Sequence, residues 1–274
     1  MSRVTYVFRK IFVLGVVGGL VATLAVSTTS TAGINAFTHG VAARAGKNFA
    51  QLWTRASQES PVYSLKISKK ANLTGGQTFT GITPLAEHDF TIKTMVKNLD
   101  PGTRYYYRFL APAGVKTPLG TFRTLPRADR ARPLEVIVTG DSDILWQEHP
   151  EDGPAPIRDF AVLDRVREEK PNVFVYMGDT IYSDSETGAP LAETLEEKWA
   201  KYKGNRLPAT TQALRKLNTW AVWDDHEVVN DFDGAELSVE DPDLFNAGVQ
   251  AFNDYWPVAE TATTARWITE KTST

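Results

Sequence analysis

Two segments, "LEVIVTGD" (134–141) and "VFVYMGD" (173–179), are runs of β-forming residues that each stop at a Gly-Asp pair. Between them "IRDFAVLDRVREEKPN" carries apolar residues at helical spacing. A strand, an amphipathic helix and a second strand in that order predict parallel strands whose carboxyl ends share one edge. A third run, "TWAVWDDHEVVNDFDG", reads as a strand entering an acidic loop. Helices are predicted over "ETLEEKWAKYKGN", "PATTQALRKLN" and "DPDLFNAGVQAFNDYWP".

The preceding hundred residues have a different grain. "FAQLWTRAS", "VYSLKIS", "DFTIKTMVKNL" and "RYYYRFLAP" alternate as short strands do and are separated by Gly, Pro, Asn and Asp. They predict an all-β sandwich of the fibronectin/Ig type over residues 35–126. In "NLDPGTRYYYRF" a Pro-Gly turn precedes alternating aromatics, the setting in which a tyrosine pins a sandwich corner. The Pro- and Arg-containing linker "TFRTLPRADRARP" divides this half from an α/β half over residues 133–274.

At the N-terminus, Arg3, Arg9 and Lys10 precede an uncharged apolar stretch from Ile11 to Val26, followed by Ser30-Thr31-Ala32. This is the pattern of a secretory signal peptide over residues 1–32, and it places the mature chain in the periplasm or outside the cell. An uncleaved anchor is the alternative, the stretch being a little short of the roughly 20 residues a spanning helix needs. Cleavage would leave no stable membrane association. The chain of 274 residues has no cysteine, which removes disulfides, thiolate ligands and a cysteine nucleophile. A formal charge of −3 without a basic block gives no nucleic-acid-binding signature, and a small molecule is the expected partner. Nothing in the sequence sets an oligomeric state.

In an open parallel sheet, ligands gather at the carboxyl ends of the strands. Three strand ends here carry acids: Asp141 with Asp143, Asp179 with Asp184, and Asp224 with Asp225, the last followed by His226 and Glu227. A Gly-Asp pair alone also reads as a turn or N-cap, and Tyr182 alone as a half-buried loop aromatic. Three acids and an imidazole at one strand end repel one another unless a cation, a proton or pairing relieves them. Carboxylate, phenolate and imidazole suit hard or borderline cations, and two such ions sharing a carboxylate clamp phosphate esters. Asp179, on the middle strand, is the natural bridge. Asp184 reads as an ordinary loop acid, and His39, His88 and His149 as surface or hydrogen-bonding residues. There is neither a G-x-S-x-G elbow nor a Walker loop.

"FTHGVAARAGKNFAQLWTRAS", "LDPGTRYYYRF" with "GTFRTLP", "YMGDTIYSD" and "WDDHEVVND" together resemble the PhoD-like phosphatases (alkaline phosphatase D) of the calcineurin-like metallophosphoesterases. The resemblance runs from about Phe37 to Pro257. It implies a fibronectin-like domain followed by an α/β metallophosphatase sandwich, and hydrolysis of phosphomonoesters or phosphodiesters by metal-bound hydroxide. It further implies two metal ions, ferric iron and calcium, with Asp179 bridging them, Tyr182 on the iron and Asp225 on the second ion. His226 would face the phosphate and Glu227 would orient the histidine. Asp141 stands where the family has an iron-binding cysteine, so other divalent metals become eligible. Family members continue further, to a last strand and a His-containing loop, whereas no histidine follows His226 here. A truncated chain with weak metal retention is the expectation. Two other readings stay open: an inactive secreted binding module, and a purple-acid-type phosphatase, against which Trp-Asp-Asp-His in place of Gly-Asn-His argues.

Overall fold

The computed structural model describes residues 37–57, 62–130, 133–143, 160–184, 191–206 and 208–258. The signal peptide expected over 1–32 and His149 lie outside the described residues.

Seven strands build the first half: β1 (Phe37–Ala45), β2 (Phe49–Ala56), β3 (Tyr63–Ser68), β4 (Gln77–Ile82), β5 (Thr91–Lys97), β6 (Arg104–Leu110) and β7 (Gly120–Arg123). They form two antiparallel sheets, β1-β2-β5 and β4-β3-β6-β7. Period-2 alternation decides what each face buries. In β6, Tyr105, Tyr107 and Phe109 point inward, and Leu52 of β2, Leu65 of β3 and Val96 of β5 meet them in one core. Tyr105 is the residue that pins the corner, its hydroxyl accepting from the Asp100 amide at 2.9 Å. Sequence periodicity did not single out β1, β4 or β7: β1, "FTHGVAARA", carries a glycine and does not alternate, β4, "QTFTGI", is polar with no fully buried residue, and β7 has only four residues.

Strand β2 departs from alternation, since every residue after Phe49 is buried. Its sheet is covered on both faces. Leu52 enters the sandwich core, while Trp53 enters a second core shared with the α/β half. Fully buried there, Trp53 donates from Nε1 to the Asp254 carbonyl at 2.7 Å.

The second half contains β8 (Val136–Thr139), α1 (Ala161–Glu169), β9 (Val173–Met177), α2 (Leu195–Asn205), α3 (Pro208–Leu214), β10 (Thr219–Val222), α4 (Gly234–Glu240) and α5 (Pro242–Tyr255). Its three strands pair in parallel with β9 in the middle, so all three carboxyl ends do lie at one edge. One face of this sheet, with Ile137, Phe174, Tyr176 and Ala221, packs on α1, α2, α3 and α5 through Leu163, Trp199, Leu214 and Phe252. On the other face Val136, Val138, Met177 and Val222 are each about half exposed. No helix among the described residues is long and apolar enough to cross a membrane.

Candidate metal centre

Two of the three parallel strands, β8 and β9, hand the chain over through a residue with positive φ. Asp141 and Asp179 sit in the left-handed region, at φ 52° and 49°. Aspartate tolerates that region better than most residues because its short polar side chain bonds locally. The loops are then stitched together: the Ser142 amide donates to the Asp179 carbonyl at 3.1 Å, and the Gly178 amide to the Val222 carbonyl at 3.1 Å. Gly178 itself is required by proximity, since a Cβ there would stand 2.4 Å from Cβ of Asp224.

Glu227 is the hub of this stitching. Wholly buried, it accepts at Oε1 from the Thr180 amide and hydroxyl, both at 2.6 Å, and at Oε2 from the amides of Asp179 (3.1 Å) and Asp224 (2.8 Å). Four donors fill the capacity of a carboxylate. Burial nevertheless pushes its carboxyl up to about 7, against the pull of the Thr180 and Asp224 hydrogen bonds. The structure therefore corrects the expectation that Glu227 orients His226: its oxygens are spent on the backbone that carries Asp179 and Asp224.

The carboxylate on His226 is Asp184, whose Oδ2 lies 2.5 Å from Nδ1 and also accepts from the Asn230 amide at 3.0 Å. Asp184 is buried, not an ordinary loop acid. Burial alone would lower the His226 imidazole, but the hydrogen bond and charge of Asp184, joined by Asp179 and Asp225, raise it above its ordinary value. The histidine's own loop is held by Lys198, a fully buried lysine on α2 whose Nζ donates to the carbonyls of Glu227 (3.3 Å) and Val228 (2.9 Å). Burial lowers that ammonium to about 8.

One oxygen each from Asp179 and Asp225 and a ring nitrogen of His226 lie within 4.8 Å of one another. Asp179 is driven up to about 6, chiefly by burial, with His226 pulling it down and Asp141 and Asp225 pushing it up. Its Oδ1 is buried with no hydrogen-bond donor. Two carboxylates and an imidazole converging on an orphaned acceptor oxygen are what a cation relieves, so the residues fit a metal ion. Asp141 is exposed, with its carboxyl against that of Asp179 but outside the tight trio. The Tyr182 ring lies tilted at 32° to the His226 ring with centroids 4.1 Å apart, and burial together with Asp179 and Asp141 pushes its phenol above the ordinary value. His88 and His39 are elsewhere: His88 pairs with Asp254 at 2.8 Å, and burial among Arg55, Arg206 and Lys203 lowers His39 to about 4. Asp184 and Lys198 were missed from sequence because their roles depend on contacts 42 and about 30 residues away; the one signal was that Asp184 shares a loop with Tyr182.

Two family profiles match the chain in tandem: PhoD-like phosphatase, N-terminal domain, over residues 23–126, and PhoD-like phosphatase over residues 151–271. The chain belongs to the PhoD-like phosphatase family. Among solved structures it is similar to PhoD, at 18% identity and a TM-score of 0.69, over 83% of this chain and 47% of that one. It is also similar to the purple acid phosphatase PPD1 from yellow lupin (Lupinus luteus) seeds, at 12% identity and a TM-score of 0.54, over 82% of this chain and 42% of that one. These likenesses show the fold, and the chain spans about half the length of the structures it matches. No curated protein matches its sequence.

Proposed function

We propose that this PhoD-like chain carries the metal-binding core of an exported phosphoesterase acting on phosphomonoesters or phosphodiesters of small molecules. The observation that carries this reading is the convergence of Asp179, Asp225 and His226 at the carboxyl edge of the parallel sheet. Asp179 would bridge two ions, with Asp141 and Tyr182 on the first and Asp225 on the second. Ferric iron and calcium are the assignment, with other divalent ions eligible through the hard ligand Asp141. Bound there, the ions supply positive charge for the phosphate and lower the pKa of an attacking water. Asp184 holds Nδ1 of His226 and so fixes the ring, directing Nε2 to stabilise a phosphoryl oxygen or protonate the leaving group. Glu227 and Lys198 keep the two ligand loops in register.

The same reading assigns residues 1–32 to a secretory signal, 35–126 to a fibronectin-like domain and 133–274 to the N-terminal part of the metallophosphatase domain. Asp179→Ala tests it. Elemental analysis should show loss of metal, any iron–tyrosinate absorption band should vanish, and hydrolysis of an aryl phosphate should be abolished. Activity that survives loss of the metal would show the reading to be wrong.

A further inference from the structure

A cleft of about 590 Å³ opens between the β-domain and the α/β half, at the edge of the parallel sheet opposite the carboxylates: Asn172, just before β9, and Asn218, just before β10, both line it. Arg104 of β6 and Arg123 of β7 contribute cations from the β-domain, and Arg167, Lys170 and Lys216 from the α/β half. Glu168 is the single acid among the described lining residues. Five cations around one carboxylate run against a net charge of −3 for the chain.

Two features of this cleft favour an anion. Arg104 and Arg123 are direct cross-strand partners, both exposed, and like charges directly opposite each other on a sheet are destabilising. Arg104, Lys170 and Lys216 form no ion pair among the described residues, whereas Arg167 is paired with Asp164 at 2.8 Å. Burial, then Arg215 and Arg167, lower the Lys216 ammonium, as expected of a lysine among like charges. Basic residues at the C-terminal end of a helix answer its dipole, and that alone accounts for Arg167 and Lys170. It does not account for the arginine pair across the cleft.

We propose that this cleft binds an oligophosphate, an anion carrying several closely spaced phosphate groups. Arginine forks match phosphate oxygens in bidentate fashion, and cations on two walls need an anion with more than one charged centre. The volume falls within the range of about 300–1,000 Å³ typical of small-ligand sites. The site is separate from the carboxylate cluster and does not depend on the hydrolytic reading.

Calorimetric titration of the whole chain with sodium tripolyphosphate, in the presence of a chelator, tests it. Binding is expected to be stronger than that of orthophosphate, to weaken with salt, and to persist in Asp179→Ala. The pair Arg104→Gln and Arg123→Gln should weaken it roughly tenfold or more, as should Lys170→Gln with Lys216→Gln on the other wall. A charge-matched control toward the other end of β6, the exposed pair Lys66→Gln with Lys116→Gln, should leave it unchanged. Unaltered binding in either wall pair, or equal weakening in the control, overturns the proposal. The thermal melt of Arg104→Gln, which removes the cross-strand repulsion and keeps the bond from Arg123 to the Gly102 carbonyl, should match or exceed that of the parent.

Discussion

At His226 the neighbour that sets the imidazole's character lies 42 residues earlier in the chain. Asp184 holds the Nδ1 proton and raises the affinity of the ring for it, while Glu227, the adjacent residue in sequence, is turned away into the backbone. Carboxylates behind a ligand or catalytic histidine fix its tautomer and orientation, and their removal typically costs about 10- to 100-fold in affinity or activity. Asp184→Asn should therefore lower metal affinity or turnover by about that factor. In metal-free protein, an NMR titration should show the His226 imidazole moving down in pKa, a readout that general loosening of the fold would not give.

Among the elements, the turn after β9 is tightly constrained. Gly178 has a positive φ of 77° and leaves no room for a Cβ against Asp224. Gly178→Ala should separate the Asp179 and Asp225 loops, abolish metal binding in a calorimetric titration and lower the melting temperature. Helix α2, which carries Lys198, begins with a full capping box: Thr194 accepts from the Glu197 amide at 3.3 Å, and the Glu197 side chain accepts from the Thr194 amide at 2.9 Å. Loss of such a cap costs about 1 kcal/mol, so Thr194→Ala should reduce stability by that order in urea denaturation.

Over the whole molecule, Asp89 ties the two halves together. From the β-domain it pairs with Arg55 at 2.7 Å, and it reaches Lys203 of α2 at 3.1 Å and the Tyr255 hydroxyl of α5. Burial alone would raise its carboxyl, but hydrogen bonds from Arg55, Tyr255 and Lys203 outweigh it and hold the group below its ordinary value of 3.8. A carboxyl depressed in the folded state stabilises fully above its unfolded pKa and loses that contribution as pH falls through the folded value. Asp89→Asn should cost about 3 kcal/mol near neutral pH. In urea denaturation over a pH series, the gap between variant and parent should narrow below about pH 4.

Local pattern was enough for the β-α-β order, the middle position of "VFVYMGD", four of the five helices among the described residues and the inward tyrosines of β6. Each follows from periods of 2 or 3.6 that the backbone imposes on any buried face. It also drew attention to Asp179, Asp225 and His226, because acids crowded at a strand end are costly wherever the strand goes. Burial of β2 on both faces, the bond from Asp184 to His226, the turning of Glu227 into the backbone and the arginine pair facing two lysines across a cleft were not legible there. All four arise from contacts between distant segments, where packing and desolvation, not local propensity, choose the partner.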